Sequence, residues 1–216
     1  MDDDSLAAGP RTRSTNAAGD QPEKPYLSVV VTSRNDNHGG ALLQRMQTFV
    51  NALAEISDQV DLPVELIFVE WNPPSDRPRL AEALRWPESR NCVYRIIEVP
   101  PEIHRRYESC GPHLPLFQMI AKNVGIRRAQ GEFVLATNVD LIFSRELMEW
   151  LADRRLTEGA FYRIDRYDVP VDVMDVPSVD EQLAYCKQNL IRACCRYGTL
   201  EGDLVTGARQ GRFDKL

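Results

Sequence analysis

AKNVGIRRAQGEFVLATNVDLIFS, Ala121 to Ser144, is the stretch that decides the fold. It reads as the end of a helix, a tight turn at Gly131, a short buried strand from Phe133 to Ala136, and a polar tip, Thr137-Asn138-Val139-Asp140. A further helix is expected after Phe143 with Ser144 as its N-cap, because a serine hydroxyl ahead of a helical run satisfies an orphan N–H of the first turn. A carboxylate at the C-terminal end of a buried strand is how open α/β sheets build ligand sites.

Toward the N-terminus, Tyr26 to Thr32 is a nearly continuous apolar, β-branched run, the pattern of a strand covered on both faces of a parallel sheet. It leads into the polar loop Ser33 to Gly40. A helix follows, with Leu42, Leu43, Met46, Phe49, Val50, Leu53 and Ile56 on one stripe. Val64 to Val69 is the second strand and ends at Glu70-Trp71-Asn72-Pro73-Pro74. Cys92 to Val99 is the third and is cut by Pro100-Pro101; prolines stop strands because they lack the N–H the ladder needs. Leu80 to Leu84 is a short helical piece, and Leu116 to Arg128 is the helix that enters the deciding stretch. Strands alternating with helices predict right-handed crossovers and an α/β fold: a three-layer αβα sandwich around a mostly parallel sheet.

Beyond the deciding stretch, Glu146 to Leu156 is expected as a helix ended by Gly159, and Ala160 to Tyr167 as a strand nearer the sheet edge. Val179 to Cys195 is expected as the last helix, with Leu183, Leu190, Ile191 and Cys194 inward. The expected organisation is a disordered tail over residues 1–25, one domain over 26–197 and a loose tail over 198–216. The N-terminal tail lacks the apolar core of a signal peptide and is rich in Asp, Gly, Pro, Ser, Thr and Ala.

The bulk numbers exclude several classes. The chain has 216 residues, 27% charged and 43% hydrophobic, which suits one sizeable α/β domain. A net charge of −6 leaves no basic footprint for nucleic acid. No apolar run reaches the ~20 residues of a membrane helix, so a cytoplasmic location is expected. Five cysteines at irregular spacing do not make a disulfide framework. Cys110 with His104 and His113 is read as ordinary loop chemistry, since zinc sites need four ligands in recognisable pairs.

Lys122-Asn123-Val124-Gly125, then Ala129-Gln130-Gly131-Glu132, an apolar strand and a short acidic tip together resemble the nucleotide-sugar-dependent glycosyltransferases of the GT-A fold, in particular family 2. The resemblance runs from Tyr26 to Asp168. It implies a transferase that binds a nucleotide-sugar donor and passes the sugar to an acceptor, here unknown. It also implies a divalent metal, Mg²⁺ or Mn²⁺, on the donor's diphosphate. In the family the metal-holding tip is usually Asp-x-Asp; here it is Asn138-Val139-Asp140. By the resemblance Asp140 is the metal ligand, and Asn138, an uncharged amide, supports it through its oxygen.

Glycosyl transfer needs a grip on the nucleoside, neutralisation of the diphosphate, and a base for the acceptor hydroxyl. For the grip, the candidates are Arg34, Asn35 and Asp36 after the first strand and Glu70 after the second. Read as bare residues, Asp36 caps the following helix and Glu70 is a solvated strand end. The resemblance instead puts both on the base or ribose. Asn123 either holds the loop after the first strand or touches the nucleotide. Lys122 either faces the donor or is a solvated helix charge. Gly39-Gly40 ahead of a helix exposes backbone N–H groups that favour phosphate.

No residue matches the family's catalytic base. Asp165, Asp168, Asp172 and Asp175 are the acids beyond the tip. The expectation is therefore a glycosyltransferase-like domain. The alternatives are a truncated sequence, a donor-binding half that works with a partner chain supplying the acceptor site, or a non-catalytic binding module of the same fold. Another nucleotide-binding α/β protein is disfavoured by the lack of a P-loop or G-x-G-x-x-G.

Overall fold

The computed structural model describes residues 24–111, 113–196 and 198–201. The predicted tail up to residue 23 and the predicted loose end from 202 onward lie outside them. The chain divides into two compact units after Arg155.

The first unit runs β1 (Leu27–Ser33), α1 (Leu42–Val60), β2 (Val64–Trp71), α2 (Leu80–Ala83), β3 (Cys92–Val99), α3 (Pro101–Arg105), a 3₁₀ turn, α4 (Gln118–Ile126), β4 (Phe133–Ala136) and α5 (Arg145–Ala152). The four strands form one sheet in the order β3-β2-β1-β4, and every pairing is parallel. Chain and sheet thus step outward from β1 through β2 to β3, then return to the other flank of β1 for β4. Every residue of β1 and β2 is buried, as the continuous apolar runs require. Ser144 caps α5, its hydroxyl accepting from the Leu147 N–H at 3.2 Å.

Side-chain alternation gives the sheet two faces. Val30, Ile67, Val69 and Trp71 point to one of them and pack with Ile97, Val99, Phe117 and Ala121. Helix α4 lies on this face at very short range: a Cβ on Gly125 would stand 2.4 Å from Val30 Cγ1 and 3.1 Å from Val69 Cγ2. The glycine of Asn123-Val124-Gly125 is therefore what lets the helix touch the sheet. Right-handed crossovers carry α1 and α2 to the other face. There α1 buries Leu42, Met46, Phe49, Val50, Leu53 and Ile56, whereas Leu43, placed on the stripe from the sequence, is 36% exposed. Helices on both faces of a four-stranded parallel sheet are compatible with a three-layer sandwich.

The strand β4 is not the buried strand expected. Among the described residues it pairs with β1 alone. It is an edge strand whose burial alternates, with Val134 44% exposed. Its apolar run comes from packing one face and pairing one flank, and a short run of four residues does not distinguish that from full enclosure.

The second unit has its own three-stranded antiparallel sheet, β5 (Arg166–Asp168), β6 (Arg192–Cys195) and β7 (Gly198–Glu201), in the order β5-β6-β7. A 3₁₀ segment, Val171–Asp175, and α6 (Val179–Gln188) lie between β5 and β6. Three expectations are corrected here. The strand expected over Ala160 to Tyr167 is confined to Arg166–Asp168. The last helix stops at Gln188, where Asn189 turns its side-chain amide back onto the Tyr185 carbonyl at 2.9 Å. The residues read as its last turn are β6, and Gly198–Glu201, read as loose, is β7. Cross-strand charge explains the switch: Arg192 stands opposite both Asp168 and Glu201, and its Nε reaches Asp168 Oδ2 at 2.7 Å. Ile191, expected inward, is 55% exposed. No helix among the described residues is long and apolar enough to cross a membrane.

Candidate functional site

In the order β3-β2-β1-β4 the chain leaves β1 toward β2 and β3 and returns past them to β4, so β1 and β4 are the neighbouring strands at which the strand order reverses, the position where open α/β sheets place ligands. The residues singled out after β1 and β4 stand at those two tips, and Glu70 lies near the end of the next strand along.

After β1 the chain is pinned. Asn35 is buried, 2% exposed, and its amide donates to the Pro78 carbonyl at 2.9 Å, holding the loop after β2 against the tip of β1. The Arg34 guanidinium donates to the Pro115 carbonyl at 3.3 Å and lies 3.6 Å from Asp36 Oδ2. The other Asp36 oxygen accepts from the His38 N–H at 3.0 Å, closing an Asx turn. It is Asn37 that reaches the first turn of α1, accepting from the Leu42 N–H at 3.3 Å. Asn37, Gly39, Gly40 and Ala41 all have positive φ, between 46° and 75°. Left-handed backbone at Ala41 costs about 1–2 kcal/mol and persists because the surrounding bonds impose it.

At the end of β2, Glu70 is 1% exposed. One oxygen accepts from the Leu80 N–H at 2.9 Å, at the start of α2; the other is buried without a hydrogen-bond partner. Desolvation pushes its carboxyl up from 4.5 to about 7, against the opposing pull of the Leu80 N–H. Because the folded state holds this proton more tightly than the unfolded one, stability falls as pH rises from about 4.5 through 7, and the low-pH contribution is gone above that. Glu70→Gln removes the ionisation and keeps an acceptor for Leu80. It should stabilise the protein at pH 8 by about 2 kcal/mol and flatten the decline in stability between pH 5 and 8. Urea unfolding at the two pH values reads this directly; parallel pH profiles for variant and parent would refute it.

At the end of β4, both candidate oxygens have partners. The Asn138 side-chain carbonyl accepts from Lys122 Nζ and Gln118 Nε2, each at 3.3 Å. Asp140 Oδ2 lies 2.8 Å from Arg45 Nη1. Arg45, in the first turn and a half of α1, also donates from Nε to the Gly40 carbonyl at 3.2 Å and from Nη2 to the His38 carbonyl at 2.5 Å. It ties the loop after β1 to the tip of β4. Burial pushes the Lys122 ammonium below its ordinary value. Asn123 is exposed on the same helix.

The three carboxylates stand at neighbouring strand tips but each serves a local partner: Asp36 the Asx turn, Glu70 the start of α2, Asp140 the Arg45 guanidinium. They do not form one acidic mouth. The resemblance implies a metal at Asp140, with Asn138 in support. A hard cation needs several oxygens around an open position, whereas Asp140 Oδ2 and the Asn138 oxygen each face a cationic side chain. Among the described residues no group of three or more His, Cys, Asp or Glu is placed to hold a metal ion.

His104 is a packing residue. Its Nδ1 accepts from the Trp71 indole N–H at 2.8 Å, and its ring stacks on Phe117 at 4.8 Å. Burial lowers its pKa, which keeps it neutral. In the second unit Asp168 is paired with Arg166 and Arg192, and Asp165, Asp172 and Asp175 belong to the same unit. Arg45 was missed from the sequence, where it is one charge beside an apolar helical stripe. Its place five residues after Gly40 was the available signal. No family model, no curated protein and no solved structure matches this chain.

Proposed function

We propose that this chain is a glycosyltransferase-like domain of GT-A type that binds a nucleoside diphosphate sugar at the crevice between β1 and β4 and passes the sugar to an acceptor. The observation that carries this reading is a coincidence of place. Of the residues bearing the family resemblance, the tip Asn138-Val139-Asp140, with Lys122 bonded to Asn138, lies at the C-terminal end of β4, where a β3-β2-β1-β4 parallel sheet has its topological switch point. Arg34, Asn35 and Asp36 line the nucleoside side, with Glu70 beside them beneath the loop that ends at Leu80. Asn138, Asn123 and Asp140 lie on the diphosphate side.

A second reading is a donor-binding module without turnover. Two observations favour it: Asn138 stands where the family has a carboxylate, and Asp140 is committed to Arg45. One experiment separates the two. The protein is titrated calorimetrically with nucleotide-sugars of different bases, with and without Mn²⁺, while release of nucleoside diphosphate is followed. Binding with slow donor hydrolysis or transfer supports the enzyme. Binding with no release over many hours leaves the module. No heat with any donor, in either buffer, removes both.

A further inference from the structure

We infer that Arg45 and Lys122 stand in place of a divalent ion, so that the diphosphate of a bound nucleotide is met in the crevice by a guanidinium and an ammonium and needs no metal. The inference rests on the donor-binding reading above and deepens it.

Three observations carry it. The first is occupancy by charge. Asp140 Oδ2 is 2.8 Å from Arg45, and the Asn138 oxygen is 3.3 Å from Lys122. A divalent ion entering there would displace or confront two positive groups already paired with its would-be ligands.

The second is spare donor capacity held in fixed geometry. Arg45 is anchored by the Gly40 and His38 carbonyls and by Asp140, and each terminal nitrogen keeps a second N–H. Lys122 spends one of its three donors on Asn138. A guanidinium so held matches phosphate oxygens without further loss of side-chain freedom.

The third is the surrounding backbone. The first turn of α1 carries no acidic residue, and a Cβ built on Gly40 would meet nothing within 4 Å, so the loop ahead of the helix is open to a ligand. The two cations come from helices on opposite faces of the sheet. They meet the β4 tip at two nearby residues, Arg45 at Asp140 and Lys122 at Asn138.

The test uses the full chain and unsubstituted nucleoside diphosphates (UDP and GDP) as probes. Calorimetry should give the same affinity, within about threefold, in EDTA and in millimolar Mn²⁺. In EDTA, Arg45→Met should weaken binding by about 30-fold or more and Lys122→Met by about 10-fold, the loss expected for one charge-assisted contact each. Lys122 bonds no backbone group of the loop, so its variant separates lost charge from a displaced loop. Free Mn²⁺ followed by electron paramagnetic resonance should be undiminished by the protein alone.

Nucleotide binding that appears only with Mn²⁺ overturns the inference and leaves the donor reading standing. So does stoichiometric Mn²⁺ uptake that Asp140→Asn abolishes. Unchanged affinity in both charge variants also overturns it. No nucleotide binding under any condition overturns the inference together with the reading it rests on.

Discussion

Glu65→Ala should destabilise the protein by about 3–5 kcal/mol, the scale for removing one partner of a buried, hydrogen-bonded ion pair. Glu65 is the second residue of β2, an inner strand of the sheet, and is 1% exposed. One carboxylate oxygen pairs with the Arg95 guanidinium from β3. The other accepts from the Ser28 hydroxyl of β1 at 2.6 Å and from the Gln130 N–H at 3.0 Å. Ser28 Oγ in turn accepts from the Gly131 N–H at 2.8 Å, and Arg95 also donates to the Arg128 carbonyl at 2.8 Å. One side chain therefore joins three strands to the turn that starts β4.

Without it, Ser28 and Gln130 lose buried partners and Arg95 loses its counter-charge. A domain of this size has about 5–15 kcal/mol in total, so the variant should sit near the edge of folding. Denaturant unfolding at neutral pH measures the loss. Glu65→Gln, which keeps acceptors and drops the charge, should fall between parent and Ala. A cost under about 1 kcal/mol for Glu65→Ala would show that the network is not cooperative.

Gly131→Ala should cost about 3 kcal/mol. A Cβ there would lie 2.6 Å from the Ser28 backbone nitrogen, 2.7 Å from its hydroxyl and 2.9 Å from the Leu27 carbonyl carbon. Overpacking usually costs about 1–3 kcal/mol, and the upper end applies when the obstacle cannot swing aside. Here the obstacle is the backbone of β1, held by β2 on one side and β4 on the other. Relief requires moving the turn away from the sheet and lengthening the Gly131 N–H bond to Ser28. Thermal and urea unfolding of Gly131→Ala beside Gly159→Ala sets the scale: Gly159 has φ +76° but open space around it, so its variant suffers backbone strain without collision. A Gly131 variant no more damaged than the Gly159 variant would mean that the turn yields freely.

These glycines also say what the family resemblance is made of. Gly125 and Gly131 carry two of its motifs, and both act on packing: one seats α4 on the sheet, the other presses the turn against β1. The recognisable part of the pattern is thus mostly a recipe for placing β4 beside β1.

Local pattern determined much of this protein. The apolar runs of β1 and β2, the stripe of α1, the proline stops after β2 and β3 and the Ser144 cap are all short-range features, and each was readable because period and capping depend on near neighbours. So was the alternation of strands and helices that makes the sheet of the first unit parallel, whereas the strand order β3-β2-β1-β4 came from the tertiary structure.

Other features needed the tertiary structure. Arg45 and Asp140 are 95 positions apart, and no local signal pairs them. Nothing local says that Glu70 turns inward beneath Leu80, or that β4 has an open flank. Residues 192–195 have helical neighbours in sequence yet form a strand, because Arg192 finds Asp168 and Glu201 across two ladders. The dividing line is physical: helices and turns are selected by neighbours along the chain. Ion pairs, burial and sheet edges are selected by groups that only the folded chain brings within a few ångströms.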